Sequence, residues 1–271
     1  MKVRLSFRTD IGGMHENQDD CFVWRHPSSG SVVIGVLDGH GRDVGQLASA
    51  CVKEFMLAWL ARRWGEVLAD PAEAFRVMFA EAHVSMLHAF REHLTAQGWA
   101  VKEQGGYLMK RRSLAQPWTC VHGGTSGSVV AVVEGRRLLT ANVGDSSCLL
   151  AAPCTDPGTV GHVPGPGGAP APAVNIGAGE TPTAADAAAT ADVQTLLLTA
   201  DHSPESRREF CRMRLTHPSP ANPRVPNLLV VYDSPTPVKL KCNPVFELDA
   251  SGTPRVTGRG RYYKNVRREW A

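Results

Sequence analysis

The stretch SVVIGVLDGHGRD, residues 31–43, determines how the rest of the chain is interpreted. Its first seven residues form an apolar run rich in β-branched side chains, which predicts a buried strand over 31–37. Asp38 follows that strand, so its carboxylate is expected at the rim of a sheet. Glycines flank His40 and let the backbone approach a ligand closely. The stretch therefore predicts a site where Asp38 and the Gly39 carbonyl bind a hard cation and His40 transfers a proton.

Two further acidic segments are candidates for the same site. In HENQDD, residues 15–20, Asp19 and Asp20 are neighbours. On a strand they would point to opposite faces, so only one of them could serve a given site. In NVGDSS, residues 142–147, Asp145 follows a glycine at a strand boundary. Taken singly, the three segments also have simpler interpretations: an Asp-Gly turn with an incidental histidine, a solvated acidic turn, and a type I′ or related turn.

The remaining patterning predicts helices and further strands. Apolar residues recur at helical spacing from Gln46 to Trp64. A second helix, with an apolar stripe to Phe90, is predicted to begin at Pro71, because Asp70 is a good N-cap and Glu73 completes a capping box. Strands are predicted over 126–133, 136–143, 146–151, 194–199, 227–233 and 244–249, the first three as an antiparallel meander. Two adjacent helices between groups of strands predict an α+β domain.

Composition limits the classes of function. The chain has 271 residues, of which 43% are hydrophobic and 20% charged, and its net charge of +3 argues against a protein built to hold nucleic acid. No apolar run approaches the ~18–20 residues that span a bilayer, and the N-terminus lacks a signal-peptide core. Seven scattered cysteines indicate reduced, structural thiols and a cytoplasmic or nuclear location. We expect a monomer that binds neither nucleic acid nor a membrane.

One segment differs in composition from the rest. Residues 161–190 are dominated by Ala, Pro and Gly and contain no Lys or Arg. Such a stretch cannot bury enough side chain to offset its ordering entropy. We therefore predict a flexible insertion at about 153–192 within a single domain that spans residues 1–271.

A basic run and a set of histidines have less specific interpretations. Lys110-Arg111-Arg112 is interpreted either as a peptide-docking patch or, more simply, as a solvated loop. The histidines of the second predicted helix are five residues apart and share no face, so they are not expected to bind a metal: His83, His88 and His93.

Taken in order, these segments resemble the motifs of the metal-dependent Ser/Thr protein phosphatases, the PPM or type 2C family. The matching motifs are Gly13 with Asn17-Gln18-Asp19, VLDGHG (36–41), GGTSGSVVAVV (123–133), ANVGDS (141–146) and LTADHSPESRREFCRM (198–213). All five occur in family order, and they cover residues 6 to about 213.

The resemblance implies an α-β-β-α sandwich of antiparallel sheets flanked by helices, with two or more Mn²⁺ or Mg²⁺ ions at one edge. By matching positions, Asp38 would bridge two metals, and Asp19 and the Gly39 carbonyl would bind one of them. Asp145 would help to hold a further cation, and His40 would be the general acid. The metals would lower the pKa of a bridging water that attacks phosphorus in phosphoserine and phosphothreonine proteins.

The chain departs from the family pattern in two places. Met14 occupies the position where many members carry a phosphate-binding Arg. His15 or a nearby arginine such as Arg8 is a candidate to replace it, so the phosphate-binding residue is unassigned. The Ser-Leu-Gly-Asp, Ser-Asp-Gly and Asp-Asn segments of the family's second half are absent from the sequence, since neither Asp233 nor Asp249 is followed by Gly or Asn. We therefore expect a truncated domain without its C-terminal metal ligands. The alternative function is that of a catalytically inactive relative that binds phosphoproteins or another partner.

Overall fold

The computed structural model describes residues 4–11, 16–104, 107–153, 193–200, 202–216, 230–232 and 242–257. The chain divides into two compact units, Met1–Ala200 and Asp201–Ala271. The fold is mixed α+β, as the sequence predicts. The predicted insertion at 153–192 lies outside the described residues except for Pro153, and the single-domain organisation stays a prediction.

The described part of the first unit has three strands, then two helices, then eight further strands. In chain order its elements are β1 (Asp20–Arg25), β2 (Val32–Leu37), β3 (Gly39–His40), α1 (Gly45–Ala69), α2 (Pro71–Ala96), β4 (Ala100–Gln104), β5 (Tyr107–Arg111), β6 (Thr119–Cys120), β7 (Gly124–Thr125), β8 (Gly127–Val133), β9 (Arg137–Val143), β10 (Leu149–Pro153) and β11 (Val193–Leu197). The described part of the second unit contains α3 (Arg207–Thr216), β12 (Phe246–Leu248) and β13 (Pro254–Val256).

A four-stranded antiparallel sheet forms the centre of the first unit. Its strand order is β1-β2-β8-β9, and three small sheets accompany it, β3-β7, β4-β5-β6 and β10-β11. Because side chains alternate along a strand, every second residue of the central sheet faces the two helices. The apolar residues on that face are Phe22, Trp24, Val33, Leu37, Val129, Ala131, Val133, Leu139 and Ala141. Helix residues with no solvent exposure complete the core: Met56, Trp59, Leu60, Val67 and Met78.

Both predicted helices form. The Asp70 side chain accepts a hydrogen bond from the Glu73 amide at 3.1 Å, which confirms the predicted N-cap of α2. α1 continues beyond the predicted end at Trp64 to Ala69, with a kink at Arg63 (φ −126°, ψ 22°). The kink is held by ion pairs from Arg63 to Glu66 at 2.7 Å and to Glu81 at 2.8 Å.

The strand predictions are confirmed in part. β2, β8, β9, β11 and β12 lie where strands were expected, and the β8–β9 turn has positive φ at Glu134 (52°) and Gly135 (67°), as a type I′ turn requires. The three-strand meander is wrong, because β10 pairs with β11 and not with β9. Of the predicted 227–233 strand only 230–232 are described, and Val231 there forms an isolated bridge with Pro244. β1, β4 and β5 were not predicted.

The interpretation of Lys110-Arg111-Arg112 as a solvated loop is wrong. Lys110 and Arg111 belong to β5, and the Lys110 residue is only 9% exposed. Its ammonium group pairs with Asp43 at 2.6 Å, which is why a lysine can occupy a buried strand position.

The second unit has a small aromatic core of its own. Phe210 of α3 stacks on Phe246 of β12 with ring centroids 4.2 Å apart, and Tyr232 and Val245 complete the cluster. Among all the described residues, no helix combines the length and apolar character that crossing a bilayer requires. None of the cysteines in the described ranges forms a disulfide.

Candidate metal centre at the end of the central sheet

Asp19 and Asp38 lie at the same end of the central sheet. β1 and β2 pair so that Asp20 is opposite Leu37, and the same register puts Asp19 opposite Asp38 one step further on. On the other side of β2, the Ser126 amide donates a hydrogen bond to the Asp38 carbonyl at 2.9 Å. The backbone at Asp38 is therefore fixed by neighbouring segments on both sides.

The turn that carries Asp145 is tied to the same end of the sheet. Gly144, which follows β9, has φ +105°, a conformation that favours glycine. A Cβ at this position would lie 2.5 Å from the Cβ of Ser126, so glycine is also needed for the close approach. The Ser126 and Ser146 hydroxyls are hydrogen bonded at 2.5 Å, and the Ser128 hydroxyl donates to the Ser146 carbonyl at 3.1 Å. These contacts bring Asp145 to the end of the sheet at which Asp38 lies.

The three carboxylates act on one another electrostatically. Although Asp38 is exposed, nearby protein atoms partly desolvate its carboxylate and raise its pKa; the negative charges of Asp19 and Asp145 raise this pKa further, while His40 lowers it. Asp38 and Asp145 are exposed and Asp19 is half-buried. Within the described part of the chain, no three His, Cys, Asp or Glu side chains are close enough together to form a ready metal-binding cluster. The three carboxylates thus act on one another electrostatically without forming a ready metal-binding cluster.

Asp20 has a different environment from its neighbour Asp19. Its carboxylate lies 2.8 Å from the ammonium of Lys53 on α1. The hydrogen bond with Asp20 raises the pKa of Lys53 more than burial lowers it. The charge of Asp20 is thereby neutralised on the helix side of the sheet, whereas the charge of Asp19 acts on Asp38.

Gly39 lies in a tightly packed backbone contact. A Cβ at Gly39 would lie 2.0 Å from the Gln18 carbonyl oxygen and 2.7 Å from the Gly45 carbonyl oxygen. Gln18 is buried, and its side-chain amide donates to the Gly41 carbonyl at 3.0 Å. The Asp-Gly-His-Gly segment is therefore held against the residue that precedes Asp19.

His40 lies on the surface beside this packed segment. β3 and β7 pair Gly39 with Thr125 and His40 with Gly124. The His40 side chain is exposed, and a Cβ at Gly124 would lie 3.5 Å from Cε1 of its ring. The Thr125 hydroxyl donates to the Asp38 carbonyl at 3.0 Å, so the segment that pairs with His40 also holds Asp38.

Several residues that build this region were not singled out from the sequence. Asp43 accepts hydrogen bonds from Lys110 at 2.6 Å and from the His122 amide at 2.9 Å. Partial burial raises its pKa, but the two hydrogen bonds together with the charge interactions with Lys110 and His122 outweigh burial, so the pKa of Asp43 lies below its ordinary value. Thr125 and Ser126 lie between glycines in GGTSG, and Asp43 ends the VLDGHGRD stretch. Their positions within stretches already quoted from the sequence were the signal that could have identified them.

The residues considered for phosphate binding are not brought together in the described ranges. Gly13, Met14 and His15 lie outside the described residues. Arg8 is exposed, and its guanidinium lies 4.0 Å from Asp10. The phosphate-binding residue therefore stays unassigned.

The assignment of this chain to a family depends on the motifs alone. No protein-family model matches the sequence, and a search of the curated proteins finds no match. Membership of the PPM family is accordingly a prediction from the order of the motifs.

Proposed function

We propose that this protein is a metal-dependent phosphatase that hydrolyses phosphoserine and phosphothreonine in other proteins, as its resemblance to the PPM family predicts. The observation that carries the proposal is the convergence of Asp19, Asp38 and Asp145, from three separate stretches of chain, at one end of the central sheet. The register of β1 with β2 and the hydrogen bonds around Ser126 account for that convergence.

The chemistry of the donor set fits Mn²⁺ or Mg²⁺. Carboxylates and backbone carbonyls are the hard oxygen ligands that these ions prefer. Among the described residues, the charged groups that shift the pKa of Asp38 are the carboxylates of Asp19 and Asp145 and the imidazole of His40, so a divalent cation would relieve an excess of negative charge. Asp38 and the Gly39 carbonyl would hold the metal, with Asp19 and Asp145 beside them. A bound metal of this kind supplies an acidified water as nucleophile.

Residues of the chain itself supply proton transfer and hold the Asp38 carboxylate in position. His40 is exposed beside Asp38 and is positioned to give a proton to the departing serine or threonine oxygen. Thr125 and Ser126 hold the Asp38 backbone, so they are positioning residues for its carboxylate. The packing of Gly39 against Gln18 limits movement of the segment between the carboxylate and the histidine.

The proposal includes the α-β-β-α sandwich of the family. The central sheet with α1 and α2 on one face would supply the first two layers of that architecture. The opposite face carries apolar side chains that stay exposed, with Val36 50% and Leu138 43% accessible. An apolar outer face supports the proposal that a second layer packs against it, since soluble proteins rarely expose large contiguous apolar areas.

A second candidate function is a catalytically inactive phosphatase-like protein that binds phosphoproteins. It is favoured by the spacing of the carboxylates, because no three candidate ligands within the described ranges are close enough together to form a ready metal-binding cluster. In that case the protein would bind a phosphoprotein or another partner without hydrolysing it.

The experiment measures Mn²⁺-dependent release of phosphate from a phosphothreonine peptide and from an aryl phosphate. For the enzyme, we expect Asp38→Asn to abolish both activities. His40→Ala should slow phosphothreonine hydrolysis by about 10²–10⁴-fold and the aryl phosphate less, because its alcohol departs without a proton. Phosphopeptide binding without turnover would favour the inactive relative, and equal loss on both substrates in His40→Ala would contradict the role of His40.

A further inference from the structure

The small sheet β4-β5-β6 presents a group of cations that we call the cationic face: Lys102, Arg111 and the ring of Trp118 between them. The Lys102 ammonium and the Arg111 guanidinium each lie 4.4 Å from the centre of the Trp118 ring. The register pairs Lys102 with Met109 and Ala100 with Arg111, so both cations are on the same side of the sheet. Tyr107, 65% exposed, continues that side along β5.

The cations of this face lack a carboxylate partner in the described part of the chain. Several other cations of the first unit have one, as the pairs Lys53–Asp20, Arg63–Glu66, Arg76–Glu73, Arg91–Glu103 and Lys110–Asp43 show. Contact with Trp118 holds Lys102 and Arg111 in place while leaving their N–H groups available. Ordered, unpaired cations are suited to binding anions carried by another molecule.

The cationic face is connected directly to the candidate metal centre. β6 ends at Cys120, and β7, which pairs with His40, begins at Gly124. The ion pair between Asp43 and Lys110 joins the segment after His40 to the middle strand of the small sheet. Lys110 and Arg111 are successive residues of β5, so the cationic face lies on the other side of the sheet that this ion pair fastens to the segment after His40.

The aromatic component argues against a nucleic acid as the bound molecule. Binding of single-stranded nucleic acid relies on open aromatic faces on which bases stack. Two cations already lie over the Trp118 ring, so of the two rings on this face that of Tyr107 alone is open for stacking. What the face offers is a pair of positive charges beside apolar Met109 and Tyr107, which suits an acidic polypeptide.

We propose that the cationic face binds acidic segments of protein substrates, with Lys102 and Arg111 pairing with their carboxylates. The substrate part of this inference rests on the proposed phosphatase function, whereas binding of an acidic peptide does not. Substrates with acidic residues flanking the phosphorylated residue would be preferred over neutral ones.

The test is fluorescence anisotropy of a labelled hexaglutamate peptide at low salt. Lys102→Glu with Arg111→Glu should weaken binding by about tenfold or more, since each reversed charge turns an attraction into a repulsion. The milder pair Lys102→Gln with Arg111→Gln guards against misfolding and should weaken binding less. Arg62→Glu with Arg136→Glu makes the same change in net charge elsewhere on exposed positions and should leave binding within about twofold.

Equal loss in the matched control, no binding by the wild type, or a preference for an oligothymidine probe would overturn the proposal. Asp38→Asn should bind the peptide as the wild type does, so a failed phosphatase hypothesis and a failed docking hypothesis give different results. If hydrolysis is observed, Lys102→Glu with Arg111→Glu should raise KM for an acid-flanked phosphothreonine peptide with kcat unchanged. The lost contacts would stabilise the bound substrate and the transition state equally.

Discussion

Asp43 and Lys110 form an ion pair of 2.6 Å in which both side chains are largely shielded from water. The second oxygen of Asp43 accepts the His122 amide at 2.9 Å, and the Lys110 ammonium lies 4.4 Å from the Trp99 ring. Removing either partner leaves the other charge shielded and unpaired, which costs more than the pair itself contributes. The pair therefore fastens the segment after His40 to the small sheet.

We expect Asp43→Asn to lower the free energy of unfolding by about 1–3 kcal/mol at neutral pH, because the Lys110 ammonium loses its partner. Lys110→Met should cost a similar amount, since it keeps the apolar stem and removes the charge. In the double variant neither unpaired charge remains, so the two losses should not add. Urea unfolding of the four proteins measures this, and additive losses would contradict the pairing.

The difference in stability between the wild type and Asp43→Asn should depend on pH in a definite direction. Folding lowers the pKa of Asp43 from its ordinary value of 3.8. The stability it contributes is therefore fully present above pH 3.8 and is lost as the pH falls through the lower folded-state value. The stability gap between wild type and Asp43→Asn should be constant from about pH 5 to 7 and shrink below about pH 4. A gap that widens on acidification would show that the folded-state pKa is not lowered.

Two glycine substitutions should have opposite effects. Gly39→Ala forces a Cβ to within 2.0 Å of the Gln18 carbonyl oxygen, a backbone atom that cannot move aside cheaply. We expect a loss of about 1–3 kcal/mol in unfolding free energy. Gly65 lies in α1 with open space around its Cβ position, so Gly65→Ala should gain about 0.5–1 kcal/mol. Thermal unfolding of the two variants checks both signs, and a neutral Gly39→Ala would refute the close packing.

The packing of β1 on β2 predicts a coupled pair. A Cβ at Gly35 would lie 2.1 Å from the ring of Phe22, which is buried in the core. Gly35→Ala should therefore destabilise the protein by about 1–3 kcal/mol. Phe22→Leu vacates part of that space, so Gly35→Ala should cost less in its presence. An unchanged cost of Gly35→Ala in the Phe22→Leu background would argue against this register.

The helices could be predicted from the sequence because their signals are local. The pairing of strands that are distant in sequence could not be predicted. The Asp70 cap and the proline after it determine where α2 begins, and both act within one turn. β10 was assigned to the wrong partner because pairing with β11 spans a long sequence separation that no local pattern encodes. β5 was missed because Lys110 looks solvated until Asp43 and Trp99 are placed beside it.

In the candidate site as well, residues with local sequence signals could be predicted and contacts between distant segments could not. Asp19, Asp38 and Asp145 could be selected from the sequence because each has distinctive neighbours. Asp20 could not be assigned to the helix side until the position of Lys53 on α1 was known. The roles of Ser126 and Asp43 depend on hydrogen bonds between distant segments, so only the folded chain reveals them.

The central proposal is that Asp38 and the Gly39 carbonyl bind a divalent cation at one end of the sheet, with Asp19 and Asp145 beside them, and calorimetric titration with Mn²⁺ tests it most directly. Asp20→Asn is the matched control, because it changes the adjacent residue by the same charge on the side that faces Lys53. We predict Mn²⁺ binding by the wild type and by Asp20→Asn, about tenfold weaker binding by Asp19→Asn, and a greater loss in Asp38→Asn. Absence of Mn²⁺ binding by the wild type, or equal losses in Asp19→Asn and Asp20→Asn, would contradict the claim.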